Sequence, residues 1–446
     1  MRLFLKIGFV IAMTVAILIP LLMIRGVIHD RQQYRAQAVA DISRSYAGAQ
    51  AFAGPVLVVP YTERVEVEET DAHNVVRKVW RDKTHYWTFF PTALDVRGPM
   101  RPSTRKRGLH EVRVYEWQGR AQARFEAKIP ADGPADRRVG QPWLAYAIAD
   151  VRGLRAAPRL QVNGREMALE EGLGSRDGSG LHVRLDAPSP GQSLVLDTEL
   201  DLLLGGTESL ALVPLGKSNR FHLESSWLHP SFGGTSPRHD VGARGFRADW
   251  EIASVASNAQ QQFIEGESLP RMADGVAQMA GIDAVGVSLI DPVNIYTQAD
   301  RATKYGLLFV LLTFVGFFIF ELIKQLPIHP IQYGLVGLAL AIFFLLLVSL
   351  SEHFPFLYAY LAASAACIGL LGFYLSAVLR SVGRGLGFAG MLATLYAALY
   401  GLLVSEDNAL VLGAGLLFLV LAVIMVVTRK VDWYQLAGHR PAARLA

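Results

Sequence analysis

The chain has 446 residues, of which 52% are hydrophobic and only 18% charged. That length allows two or three domains, and the low charge fraction points to membrane spans. The one cysteine, Cys367, excludes an intrachain disulfide framework. The formal net charge is +4, but nine basic and five acidic residues lie in 1–24 and 305–446, leaving 34 of each sign in 25–304. A neutral polar region exerts no global pull on DNA or RNA, so nucleic acid is not an expected partner.

Leu3–Ile24 is the first apolar run, preceded and entered by Arg2 and Lys6. It is long enough to span a bilayer. A cleaved signal peptide is the rival reading, with Ala38-Val39-Ala40 as its cleavage triplet. Charged residues separate that triplet from the apolar run, so 1–24 is read as a signal anchor, kinked by Pro20. In Ile28–Gln50, Tyr34, Ala38, Ile42 and Tyr46 recur every four residues, the spacing of one helix face. A helical stalk over 25–54 is expected, ended by Ala53-Gly54-Pro55.

From Pro55 to Ile290 the period changes to two. Strands are expected at Val56–Tyr61, His85–Phe90, Leu194–Leu202, Phe246–Ile252 and Ala284–Ile290. Glu111–Ile129 reads as a hairpin turning at Gln118-Gly119. Asn163-Gly164 and Ser189-Pro190-Gly191 are further turns. Helix is expected only at Ser257–Glu265 and Met272–Gly281. The fold class is therefore a large mainly-β extracytoplasmic domain over 55–304, sandwich-like or of two lobes, beside α-helical membrane spans.

Five further apolar runs follow: Tyr305–Ile323, Tyr333–Leu350, Leu357–Leu379, Leu386–Val404 and Ala409–Thr428. With the first run they predict six spans, five of them in a domain over 305–428, and a tail over 429–446. Lys324, Arg380, Arg384, Arg429 and Lys430 fall on the side of Arg2 and Lys6. The opposite loops, containing Glu352-His353 and Glu406-Asp407, carry acids and no Lys or Arg. The positive-inside rule then places both termini in the cytoplasm and 25–304 in the periplasm. Trp433 and Tyr434 suit an interfacial aromatic belt. Residues 347–353 weakly echo 402–407, as a duplicated helical hairpin or by convergence on a polar helix end.

Chemical motifs are sparse. Gly385-Leu386-Gly387-Phe388-Ala389-Gly390 has dinucleotide-loop spacing but lacks a preceding strand, so the glycines are assigned to helix packing. Gly216-Lys217-Ser218 lacks the upstream glycine of a phosphate loop and reads as a turn. His222, Glu224, His229, His239 and Asp240 carry metal-ligand chemistry without ligand spacing, and a contact surface through Trp227 and Phe232 is the alternative. No catalytic, cofactor or metal residue is assigned. Glu352 beside His353 is the most notable ionisable pair in the membrane region, read first as helix-end solvation; Glu321 sits near an inner helix end.

Ile19-Pro20-Leu21-Leu22-Met23-Ile24-Arg25, Gly54-Pro55-Val56-Leu57, Trp227-Leu228-His229-Pro230-Ser231-Phe232, Asp300–Phe309, His329–Leu340 and Leu350–His353 together resemble the CreD family of inner-membrane proteins. The resemblance runs over essentially the full length. It implies an inner-membrane protein of Gram-negative bacteria, linked to envelope integrity, to a two-component response touching β-lactam stress, and to colicin tolerance. It implies no catalytic residue. The expected partners are the lipid bilayer and envelope or periplasmic proteins. A transporter of lipid or hydrophobic solute and a metal-dependent periplasmic hydrolase are the alternatives.

Overall fold

The computed structural model describes residues 2–70, 76–108, 110–132, 136–174, 178–272, 279–289, 295–324, 328–404 and 409–429. The chain opens with one uninterrupted helix, α1 (Arg2–Tyr46), which contains Pro20. Two long strand pairs follow, β1 (Gln50–Thr70) with β2 (Val76–Phe89), and β3 (Ala93–Arg107) with β4 (His110–Lys128). Shorter strands come next: β5 (Arg138–Val139), β6 (Trp143–Ile148), β7 (Arg159–Val162), β8 (Arg165–Met167), β9 (Glu170–Glu171) and β10 (Gly180–Arg184). Then β11 (Ser193–Thr207), β12 (Ser209–Val213), β13 (Ser218–Ser225), β14 (Pro230–Gly233), β15 (Arg238–Gly242) and β16 (Gly245–Ala253) lead to the short helix α2 (Ala259–Glu265). The strand series ends with β17 (Arg271–Met272), β18 (Met279–Ala280) and β19 (Val285–Leu289). Five helices complete the order: α3 (Ile295–Lys324), α4 (Pro330–Ser351), α5 (Phe356–Val378), α6 (Val382–Val404) and α7 (Ala409–Thr428).

Chain contacts divide these elements into two units, Arg35–Pro292 and Met1–Tyr34 with Val293–Ala446. The first is a β-sandwich. A nine-stranded sheet runs β14-β19-β12-β1-β6-β10-β9, with β2 and β5 also paired to β1. An eight-stranded sheet runs β15-β16-β13-β3-β4-β11-β7-β8. Each has a parallel pair near its middle, β1 with β12 and β3 with β13, flanked by antiparallel neighbours. The alternation in β4 and β16 puts apolar side chains on one face. Phe52, Tyr146 and Leu212 of the first sheet thus share one core with Trp117, Phe125 and Leu223 of the second. The chain changes sheets at Glu208, which adopts a positive φ of 63° between β11 and β12.

The expected strands all exist, most of them longer than their apolar runs. Asn163-Gly164 turns β7 into β8 with φ values of 50° and 76°. Three expectations are corrected. Gln118-Gly119 is not a turn: β4 runs straight through it. Gly119 is required because an added Cβ would lie 2.6 Å from the Trp117 ring, which folds over the strand at that point. Ala53-Gly54-Pro55 does not end a helix but interrupts the β1–β6 register inside a strand. The helix has already ended at Tyr46. Of the helix expected at Met272–Gly281, Met272 and Met279-Ala280 belong to the β17–β18 pair instead, where paired backbones satisfy their own hydrogen bonds. Residues 273–278 lie outside the described residues.

In the second unit α3 packs on α4, α4 on α5, α5 on α6, and α3 on α6. One apolar core joins Ile17, Leu21 and Ile28 of α1 to Phe314 and Phe317 of α3, Phe343 of α4, Leu371 of α5 and Phe388 of α6. Small residues permit close approach: a Cβ on Gly337 would lie 2.7 Å from Ile17 and 2.8 Å from Phe314. A Cβ on Gly385 would lie 2.8 Å from the Ser376 backbone, whereas one on Gly387 or Gly390 would meet open space, so only the first glycine of that motif packs helices. Among the described residues, five helices are long and apolar enough to cross a membrane. The described apolar part of α7, Val411–Val426, is shorter, so the structure supports five of the six expected spans by length and composition.

Candidate functional site

A densely connected polar cluster lies where the end of α1 enters the sandwich. A helix C-terminus leaves carbonyls without intrahelical donors. Here two arginines supply them. Arg152 Nη1 donates to the Arg44 carbonyl at 3.2 Å, and Arg155 Nη2 donates to the Tyr46 carbonyl at 2.6 Å. The Arg155 guanidinium also lies 3.9 Å from the Tyr46 ring centre, a cation–π contact. Ala47 then takes a left-handed φ of 104°, a conformation that costs a non-glycine residue roughly 1–3 kcal/mol. Its carbonyl accepts from Thr207 Oγ1 at 2.6 Å and its N–H donates to Ser43, so both backbone groups are held.

Asp150 links this cap to the sheets. It accepts two bonds from the Arg152 guanidinium, at 2.9 and 2.6 Å, one from the Arg152 N–H at 3.1 Å and one from the Gly48 N–H at 3.3 Å. These bonds, led by those from Arg152, hold its carboxyl below the usual range against the opposing effect of burial. Gln50, 1% exposed, bridges the two sheets by donating to the Asp150 and Gly205 carbonyls. Burial pushes the Tyr46 phenol up, with a smaller contribution from Glu116. Farther along α1, Arg35 pairs with Glu208 at 3.5 Å and Asp41 pairs with Arg44 and Arg107. Ile42 packs on Val112 and Val114 of β4. Of the expected stalk face, Ala38 and Ile42 are buried, while Tyr34 is 53% exposed.

A second cluster caps one end of the helices. Arg31 of α1 lies 3.2 Å from Glu352, the C-cap of α4, and Tyr296 of α3 donates to the same carboxylate oxygen at 3.4 Å. The Glu352 side chain is 8% exposed. Asp300 of α3 pairs with Arg25 of α1 and with Lys304. Glu352 and His353 do not act as a pair: the His353 ring bonds the Ser349 carbonyl instead. Adjacent residues at a helix end point in different directions, which separates them. Near the other helix ends, Tyr333 donates to the buried Glu321 at 2.9 Å. Glu406 and Asp407 lie outside the described residues, as do Lys430, Trp433 and Tyr434.

The histidine-rich segment does not assemble a metal centre among the described residues. His222 on β13 pairs with Asp249 on β16 at 2.7 Å. His239 bonds the Pro237 carbonyl and stands beside Phe232. His229 lies beside Trp227, whose indole donates to the His229 carbonyl. Glu224 faces Arg247 across the sheet, and Asp240 lies on the exposed strand β15. Trp227-Leu228-His229-Pro230 is the crossing from the eight-stranded to the nine-stranded sheet, anchored by Arg113 at 4.9 Å from the Trp227 ring. Gly216-Lys217-Ser218 is a turn, with Asn219 bonded to both backbone groups of Gly216.

The arginine cap and the Arg31–Tyr296–Glu352 cluster escaped sequence reading because their members come from distant parts of the chain. The only local signals were the Asp150-Val151-Arg152 spacing and the basic residues after the first apolar run.

These clusters order elements; they do not bring a nucleophile, base and oxyanion donors together. The family model described as "Inner membrane protein CreD" matches residues 2–434. The protein named "Inner membrane protein CreD" from Escherichia coli (strain K12) is 35% identical over 423 residues, covering 94% of this chain and 91% of that protein. The match includes both the apolar helices and the intervening sandwich. This multi-pass chain belongs to the CreD family of inner membrane proteins.

Proposed function

We propose that the chain is a non-enzymatic envelope protein whose sandwich contacts periplasmic or envelope partners while its helices hold it in the inner membrane. The observation that carries this reading is the cap at the end of α1. Two arginines, Asp150 and Gln50 devote their bonding capacity to fixing a helix into a large β domain, as a mechanical or signalling mount requires. In this reading α7 is a sixth span, both termini are cytoplasmic, 25–304 is periplasmic and 429–446 is a tail. The segregation of Lys and Arg between loops supports that orientation. A role in envelope integrity and the response to β-lactam stress follows from kinship with the family.

Crosslinking from Val255, 95% exposed on the sandwich, in stressed cells tests the partner. Recovery of a defined envelope protein is the expected result. Recovery of lipid alone, together with solute flux by the purified chain, would favour a transporter. Maleimide labelling of Val255→Cys in intact cells with a permeabilised outer membrane tests the side: labelling by an impermeant reagent is expected, and labelling only after lysis would overturn the orientation. Cys367 is buried and is replaced in that experiment.

A further inference from the structure

We propose that the cleft where β3 and β13 part is a binding site for a small organic anion, an apolar body bearing a carboxylate or phosphate. The two strands run parallel in register from Ala93 beside Ser218 to Met100 beside Ser225. There β13 leaves its sheet, while β3 continues to Arg107 paired with β4. The divergence opens beyond the carboxyl end of β13, where β3 runs on without a partner on that edge among the described residues. The resulting cleft has a volume of about 550 Å³, within the usual range for small-molecule sites.

The far wall is the β15–β16 turn. Gly245 brings it against the end of β13: its φ is +120°, and an added Cβ would lie 1.9 Å from the Ser225 carbonyl oxygen. Only glycine permits that approach. The buried Met100 and Phe246 contribute apolar floor, and Ser225 and Ser226 contribute hydroxyls.

Charge decides the ligand class. Three arginines and two acids line the cleft. Glu224 pairs with Arg247 at 3.6 Å, and Asp240 stands in register with the same Arg247 across β15 and β16. Glu224 is thus paired with Arg247, and Asp240 lies next to the same arginine. Arg101, on β3 just past the divergence, stands in register with Glu116 of β4, and Arg244 lies in the turn; neither guanidinium forms a salt bridge among the described residues. Two guanidinium forks beside an apolar floor select an oxyanion attached to an apolar group over a cation or a neutral solute.

The probe is 4-fluorophenyl phosphate, followed by fluorine NMR with the full chain in phosphatidylcholine nanodiscs. Saturable line broadening at millimolar probe is expected. Inorganic phosphate should compete, and neutral 4-fluoroanisole should not broaden. The double substitution Arg101→Ala with Arg244→Ala should weaken binding at least tenfold. Both side chains are exposed, and an unchanged thermal midpoint checks that the variant folds. Nanodiscs containing phosphatidylglycerol separate the sources: suppression of probe binding identifies a lipid headgroup, and undiminished binding identifies a soluble anion. No saturable broadening, or equal binding by the double variant, overturns the proposal.

Discussion

In the sandwich, most backbone polar groups are satisfied by ladders between strands far apart in sequence. In the helical unit they are satisfied within each helix, and hydroxyls follow suit. Thr14, Thr303, Thr313, Ser351 and Ser364 each donate to the carbonyl four residues back. Interhelical bonds are few and specific, such as Tyr360 Oη to the Tyr396 carbonyl at 2.7 Å and Tyr333 to Glu321. The contrast follows from the solvent. A sheet in water gains by removing an apolar face from that water. Helices in lipid gain little from the same burial and associate through close packing, here at Gly337 and Gly385, and through a few polar contacts. The sandwich therefore depends on large buried side chains, and the bundle on fit.

The largest test is a matched truncation. Trp117→Ala in the sandwich should cost ~3–5 kcal/mol, the range for emptying a core aromatic site, read as a lower unfolding midpoint of the β signal. Phe317→Ala in the bundle should cost less, because no water-exposed reference state rewards its burial. Equal losses would erase the distinction.

Arg31→Ala comes next. It leaves the Glu352 carboxylate, 8% exposed, with Tyr296 beside it; because the Arg31 side chain is 38% exposed, the cost should fall between the about 1 kcal/mol of an exposed pair and the about 3–5 kcal/mol of a buried one. Adding Glu352→Gln should restore much of the lost helix stability, measured by circular dichroism on heating in detergent. A double variant as unstable as the single would place the effect elsewhere.

Arg155→Ala should cost the sandwich roughly 1.5–3 kcal/mol, the range for a hydrogen bond involving a charged group. Hydrogen exchange should accelerate at Ala47 and Gly48 while the β4 amides stay protected. The same cap carries a pH signature. The Asp150 carboxyl is depressed in the folded state. Its contribution is complete above the ordinary carboxylate range and is lost as pH falls through the folded value. The midpoint of the sandwich should drop on acidification, and Asp150→Asn should flatten that part of the profile. Smallest of all, Arg120→Ala removes an exposed pair with Asp201, worth about 0–1 kcal/mol and sensitive to salt.

Local pattern made part of this molecule legible. Hydropathy located the helix runs, because a span must be apolar over its whole length. Alternation located β11 and β16, and Asn163-Gly164 located a turn by its backbone preference. Pattern misled where a residue's reason was a neighbour from elsewhere. Gly119 resembles a turn glycine until the Trp117 ring is placed over it. Ala53-Gly54-Pro55 resembles a helix stop until β6 pairs on both sides of it. The arginine cap was illegible for the same reason: Arg152 and Arg155 lie more than a hundred residues from the carbonyls they serve. The histidines erred in the opposite direction, being close in sequence but set on separate strands and loops.

The parallel pairing of β1 with β12 also sets a clock. Gln50 lies beside Leu210 and Val213 beside Ala53, so the first strand waits for a partner made 160 positions later. At ~5–20 residues per second of synthesis, that wait lasts about ten to thirty seconds. During it the emerging β1–β2 hairpin has an apolar face and an unpaired edge, the features that promote association with other chains. A nascent chain of this kind profits from a holding factor at the point where it emerges. Shortening the interval between residues 53 and 210 would speed closure of the sandwich before it altered the finished fold.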